Sequence, residues 1–126
     1  MPIIKPIKPS ATERSVMKPL TPIDIKGQTR DVQEEWRNWI LCHTNDHVVR
    51  VSVMSRDFHW HAHADSDETF LAFEGGTYVD LEDRTIALEP GQLLTIPRGV
   101  RHRTRPMRGR AVTLTFEHYG TEVTGG

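Results

Sequence analysis

Residues 61–75 read HAHADSDETFLAFEG: two histidines spaced by one residue, a polar break, then a glutamate heading an apolar-rich run that ends on glycine. On an extended chain His59, His61 and His63 fall at i, i+2 and i+4, so they face one side while Trp60, Ala62 and Ala64 face the other. Glu68 follows the break Asp65-Ser66-Asp67 and opens the next strand. His102 stands just beyond the turn Pro97-Arg98-Gly99. Together His61, His63, Glu68 and His102 make a nitrogen and oxygen donor set suited to one divalent first-row ion: Fe, Mn, Ni, Co or Zn.

Outward from that stretch the pattern is all strand. Trp39-Ile40-Leu41-Cys42, the polar turn Thr44-Asn45-Asp46 and the run Val48–Met54 predict a hairpin, being β-branched, alternating and broken by turn residues. Short strands over Thr69–Phe73, Thr77–Leu81, Thr85–Leu88, Leu93–Ile96, Val100–Arg105 and Ala111–Glu117 follow. Gly75-Gly76, Glu82-Asp83-Arg84, Pro90-Gly91, Pro97-Arg98-Gly99 and Pro106-Met107-Arg108-Gly109 separate them, all of it turn chemistry. No interval has room for a helical crossover, which excludes a parallel α/β sheet and leaves a β-sandwich or barrel. Asp31 and Glu34 have capping-box spacing, which predicts a short helical turn over Asp31–Trp36. Five of the eight prolines lie in the first 22 residues, where they disfavour helix. Residues 1–22 therefore read as an extended arm, 23–120 as the β-barrel and 121–126 as a flexible tail. The arm is either disordered or crosses onto a partner subunit, where Ile3, Ile4, Ile7 and Val16 suit it to adding a strand, and a homodimer is expected.

Composition removes whole classes. The single Cys42 forbids an internal disulfide, and no apolar run reaches the roughly 18–20 residues of a membrane span. The opening MPIIKPIKPS has no apolar signal-peptide stretch, and a cytoplasmic location is the expectation. A net charge of -1 argues against a nucleic-acid or membrane-surface binder. Six arginines and no acid lie between Arg98 and Arg110, but Arg101, Arg103 and Arg105 have the opposite parity to His102. They are expected on an outer face, either solvated or paired with acids of a neighbouring strand or subunit.

Two motifs in order carry a family resemblance. His61 to Gly75 gives His-x-His, four residues, Glu, six residues, Gly, and Gly91 to His102 gives Gly-x5-Pro-x-Gly-x2-His. These resemble the two conserved motifs of the cupin superfamily, separated by the compact gap of small single-domain members. The surrounding wording is similar to that of small bacterial cupins labelled mannose-6-phosphate-isomerase-like, a label that rests on fold kinship. Ser55 replaces the leading glycine of the first motif, and Pro106 replaces an asparagine after the second. The resemblance implies an all-β cupin jelly roll, an RmlC-like barrel of two antiparallel sheets, in which His61, His63, Glu68 and His102 bind one metal. Gly75, Gly91, Pro97 and Gly99 would then make the turns that aim those strands.

Such a centre would serve a metal-dependent enzyme acting on a small organic molecule, by oxygenase-type or isomerase-type chemistry. The alternative is a non-catalytic small-ligand or metal-binding module. His59 shares the ligands' parity and is a candidate acid or base. Arg98, in the turn beside the fourth ligand, is a candidate contact for an anionic group. Phe70 and Ala72 are expected to line the cavity. His43, His47 and His118 are expected at the surface or an interface, and Cys42 in the apolar interior.

Overall fold

The computed structural model describes residues 18–121 and 123–124. Most of the expected arm, residues 1–17, lies outside the described residues. The chain enters through a short helix, α1 (Ile25–Thr29), then runs through β1 (Trp36–Thr44), β2 (His47–Met54), β3 (Ala62–His63), β4 (Glu68–Glu74) and β5 (Thr77–Leu81). It continues through β6 (Thr85–Leu88), β7 (Leu93–Ile96), β8 (His102–Pro106), β9 (Ala111–His118) and β10 (Val123–Thr124). A five-stranded sheet has the order β1-β2-β9-β4-β7, and a three-stranded sheet the order β6-β5-β8. Every strand pair is antiparallel, as short connections require. This is the all-β jelly roll, with strands close to the expected bounds. No helix among the described residues is long and apolar enough to cross a membrane.

Two expectations change. The helical turn is not over Asp31–Trp36 but one step earlier: Asp24 caps α1, its Oδ1 accepting from the Gly27 N–H at 3.1 Å. Asp31 loses the competition because the residues after it, from Trp36 onward, alternate and pair with β2 as strand. The tail also departs from the expectation, since Val123 and Thr124 pair with His63 and Ala62 as β10 against β3.

Strand parity divides the five-stranded sheet into two unlike faces. Trp39, Leu41, Val51, Val53, Val112 and Leu114 form a buried apolar cluster on one side, over which Ile23, Ile25 and Val32 pack. Each buried valine or leucine there contributes roughly 1.5–3 kcal/mol. The alternate positions, including Asn38, Arg50, Ser52, Thr115 and Glu117, are polar and face an internal cavity. A second apolar cluster, Phe70, Ala72, Val79, Leu88 and Ile96, fills the space between the two sheets beside that cavity.

The three-stranded sheet is held on its outer side by charge. Asp80 on β5 accepts from Arg103 Nε at 2.7 Å, Arg105 Nε at 2.6 Å and Arg105 Nη2 at 2.9 Å, while Thr85 donates at 2.6 Å. Arg101 and Arg103 lie over Trp60, and Arg105 over Tyr78. Of the outward arginines, Arg103 and Arg105 thus pair with an acid of the neighbouring strand β5. Hydrogen bonds from Arg105, ahead of those from Thr85 and Arg103, hold the Asp80 carboxyl far below the usual range.

Two predictions follow from these contacts. A depressed carboxyl contributes stability that is fully present above its unfolded pKa of about 3.9 and is lost as pH falls through the folded value. Asp80→Asn is expected to cost about 2 kcal/mol at neutral pH, toward the lower end for buried pairs because both guanidinium groups are part-exposed. Thermal melts at neutral pH and at about pH 2 should show the gap between variant and parent narrowing in acid; a gap independent of pH would refute the assignment. Separately, Gly75 has φ +80° and a Cβ there would overlap the Arg110 carbonyl oxygen, whereas a Cβ at Gly91, φ +91°, meets nothing. Gly75→Ala should cost about 3 kcal/mol or more, and Gly91→Ala about 1 kcal/mol from backbone strain alone, read as the difference between denaturant midpoints.

Candidate metal centre

Two chain segments forty residues apart meet at the centre through their backbones. The His61 N–H donates to the His102 carbonyl at 2.9 Å and the His102 N–H donates back to the His61 carbonyl at 2.9 Å. Above and below this reciprocal pair, Phe58 N donates to Thr104 O at 2.9 Å and Gly99 N to His63 O at 2.7 Å. Gly99 has φ +81°, the left-handed turn conformation that glycine adopts freely and that brings His102 back over His63. Glu68 arrives from the first position of β4, paired with Ile96 of β7. His61, His63, Glu68 and His102 are all buried, and one ligand atom from each lies within 4.8 Å of every other.

Hydrogen bonding orients the rings for coordination. His61 Nδ1 lies 2.9 Å from the His59 carbonyl and His102 Nδ1 lies 2.9 Å from the Val100 carbonyl. A carbonyl only accepts, so each Nδ1 donates to it and each ring is left with its Nε2 turned toward the cluster. His102 Nε2 is then 3.2 Å from Glu68 Oε1, and His63 Nε2 is 3.3 Å from the same oxygen. A lone pair facing a carboxylate needs a cation between them or a proton on the ring. Two donor atoms sharing an ion at about 2.1 Å stand about 3.4 Å apart in a tetrahedral array, close to these spacings. Burial drives the His61 imidazole down to about 4, so that ring stays neutral, as a metal ligand must. Burial would raise Glu68, but hydrogen bonds to His102 and His63 outweigh it and bring the carboxyl down to about 2. The donor set and the ring orientation fit a bound divalent ion.

The centre forms one wall of a cavity of about 240 Å³. Phe70 lines it as expected, while Ala72 packs in the apolar cluster alongside. Trp36 and Phe58 stack across another wall, with ring centroids 5.4 Å apart. His59 is placed differently from its expected role as an acid or base in the cavity. Regular strand covers only Ala62–His63, so the parity argument does not extend back to residue 59. The His59 ring is exposed against Phe58, at 4.1 Å between centroids, and what His59 gives the site is its carbonyl. Arg98 is exposed as well: its N–H donates to Asp67 Oδ1 at 2.9 Å and its Nε lies 3.8 Å from the same oxygen. His47 and His118 are cross-strand partners that flank Asp46, at the hairpin turn, and His43 packs on Tyr119.

The cavity holds two ionisable residues that sequence reasoning missed. Glu117 of β9 is buried at 6% exposure, with Oε2 3.9 Å from His63 Nε2 and Oε1 3.6 Å from Arg50 Nε. Burial first, and then the Glu68 charge, push its carboxyl up to about 7. Arg50 of β2 donates through Nη1 to Asn38 Oδ1 at 3.0 Å. The available signal was the polar row Thr113, Thr115 and Glu117 within an otherwise apolar strand, matched by Arg50 and Ser52 on β2.

Fold and site together define a small antiparallel β-barrel with a buried three-histidine, one-glutamate cluster. The cupin domain family matches residues 47–115, more than half of the chain, and the chain belongs to that family. It is 40% identical over 94 residues to the uncharacterized protein YdbB of Bacillus subtilis (strain 168), covering 74% of this chain and 82% of that one. Its fold is similar to that of a cupin-2 domain containing protein from Shewanella frigidimarina, with TM-score 0.71 and 26% identity over 76% of this chain and 93% of that chain. It is also similar in fold to the polyketide cyclase RemF from Streptomyces resistomycificus, with TM-score 0.62 and 24% identity over 73% of this chain and 71% of that chain.

Proposed function

We propose that the protein is a metal-dependent enzyme that acts on a small organic molecule, with one divalent ion held by His61, His63, Glu68 and His102. The observation that carries this is the pairing of His102 Nε2 with Glu68 Oε1 at 3.2 Å while His102 Nδ1 is committed to the Val100 carbonyl. Four buried donors arranged in this way, opening on an internal cavity, favour an ion that meets a substrate over a purely structural one. The similar fold of a polyketide cyclase is in keeping with small-molecule chemistry in such a barrel, at an identity that speaks for the scaffold alone.

When bound, the ion supplies Lewis acidity toward a substrate oxygen, or redox chemistry with dioxygen if it is iron. The chain's own residues do the rest. His59 and Val100 lock the two imidazoles through their carbonyls, which fixes ring orientation and raises ligand basicity. Phe58, Phe70 and Met54 give the cavity an apolar wall beside the cluster. Glu117 presents a carboxyl to whatever lies beside His63.

Metal analysis after anaerobic purification tests the reading. The parent is expected to carry about one divalent ion per chain, and His61→Ala with His63→Ala close to none. At a hundredfold excess of free metal over Kd the parent should gain about 2.7 kcal/mol of stability, which chelation removes. A parent that neither retains nor takes up a divalent ion would overturn the proposal. Oxygen uptake against a panel of phenols and keto acids then separates oxygenase from isomerase chemistry.

A further inference from the structure

The polar end of the cavity carries a recognition pattern that the metal ligands do not explain. Arg50 is the arginine that lines the cavity, and its side chain is 29% exposed. Its Nη1 donates to the neutral Asn38 amide oxygen at 3.0 Å, and its Nε makes a loose ion pair with Glu117 Oε1 at 3.6 Å, longer than a hydrogen bond. Among the described residues Nη2 makes no hydrogen bond, so the fork of this cavity-lining side chain keeps donors available. Glu117 Oε2, fully buried, likewise has no hydrogen-bond partner among the described residues. A buried acceptor left unpaired costs about 1–3 kcal/mol, which a donor from the occupant would recover.

We propose that this cavity takes a small organic monocarboxylate bearing a hydroxyl group, with the carboxylate on Arg50, the hydroxyl donating to Glu117 Oε2, and the apolar body against Trp36 and Phe58. The inference rests on the small-molecule reading above and names the substrate class for it. Charge favours an anion, since the Arg50 guanidinium and an ion held by the cluster are the positive groups that this end of the cavity presents. Size follows from Glu117, whose single carboxyl group bridges the two, with Oε1 3.6 Å from Arg50 Nε and Oε2 3.9 Å from His63 Nε2. An occupant that engages both ends is therefore short. Planar recognition of a carboxylate by a guanidinium fork is stronger than a point charge provides, so lysine at this position would be a poor substitute. The anion contact expected at Arg98 accordingly belongs to Arg50, since Arg98 is turned outward onto Asp67.

Mandelate serves as the probe, because it carries a carboxylate, a hydroxyl and a planar ring; mandelamide is its neutral counterpart and phenylacetate lacks the hydroxyl. Binding is read by calorimetry and by intrinsic tryptophan fluorescence on the full chain, both metal-free and loaded with cobalt. The parent is expected to bind mandelate at least about tenfold tighter than mandelamide, and tighter than phenylacetate. Arg50→Gln should abolish the preference for the charged probe while leaving mandelamide affinity within about twofold. Arg50→Lys, which keeps a positive charge beside Glu117 and so guards against misfolding, should retain only part of it. Far-UV circular dichroism establishes that each variant is folded. Equal affinity for mandelate and mandelamide in the parent, no mandelate binding at all, or an unchanged preference in Arg50→Gln would overturn the inference. The metal-free arm separates the two readings. An Arg50-dependent preference in a protein that takes up no metal would sink the enzyme reading and sustain the anion site, while a metal-loaded protein without the preference would do the reverse.

Discussion

The reciprocal backbone hydrogen bonds between His61 and His102 are the contact on which the site depends. They join the segment before β4 to the start of β8, which otherwise belong to different sheets, and both bonded residues are metal-ligand candidates. Each ring is then fixed by the same local device, an Nδ1 proton given to the carbonyl two residues earlier. Ring direction is thus set by backbone, whose position the ladder from Phe58 to Gly99 determines, rather than by side-chain packing that could relax. Glu68 needs only to reach the first position of β4 to meet both rings at hydrogen-bond distance.

Holding this much polarity inside a barrel has a structural consequence. Asn38, Arg50, Ser52, Thr115 and Glu117 occupy the inward positions of β1, β2 and β9, where a simple barrel would place aliphatic side chains. The apolar positions of the same strands face the other way, and they form a core only because Ile23, Ile25 and Val32 cover them. Residues 23–32 therefore stabilise the sheet that carries the cavity without contributing to the cavity wall. Arg110 ties that segment down, donating to the Thr29 carbonyl and to Glu74.

Much of this was legible in the sequence where chemistry and turn geometry coincide. Turn residues marked β5, β6 and β7 to the residue, and two motifs with fixed spacing named all four clustered donors. The positions of His59 and Arg98 were not legible, for a common reason. Parity predicts a side chain's direction only inside regular strand, and His59 precedes β3 while Arg98 sits in a turn. Arg50 and Glu117 were hidden differently. Both faces of their strands are buried, so alternation alone does not reveal which face lines a cavity.

That ambiguity also locates the functional constraint. On β9, Val112 and Leu114 serve the outer core while Thr115 and Glu117 serve the cavity, and β9 lies at the centre of the five-stranded sheet. A one-residue slip of β9 against β2 or β4 would exchange the two sets and place a carboxylate among valines, at a cost of several kcal/mol. The buried Glu117 thus opposes register slippage as well as facing the site. The same inward parity that makes it expensive to bury places its carboxyl beside both Arg50 and His63, the juxtaposition that an occupant of the cavity would meet.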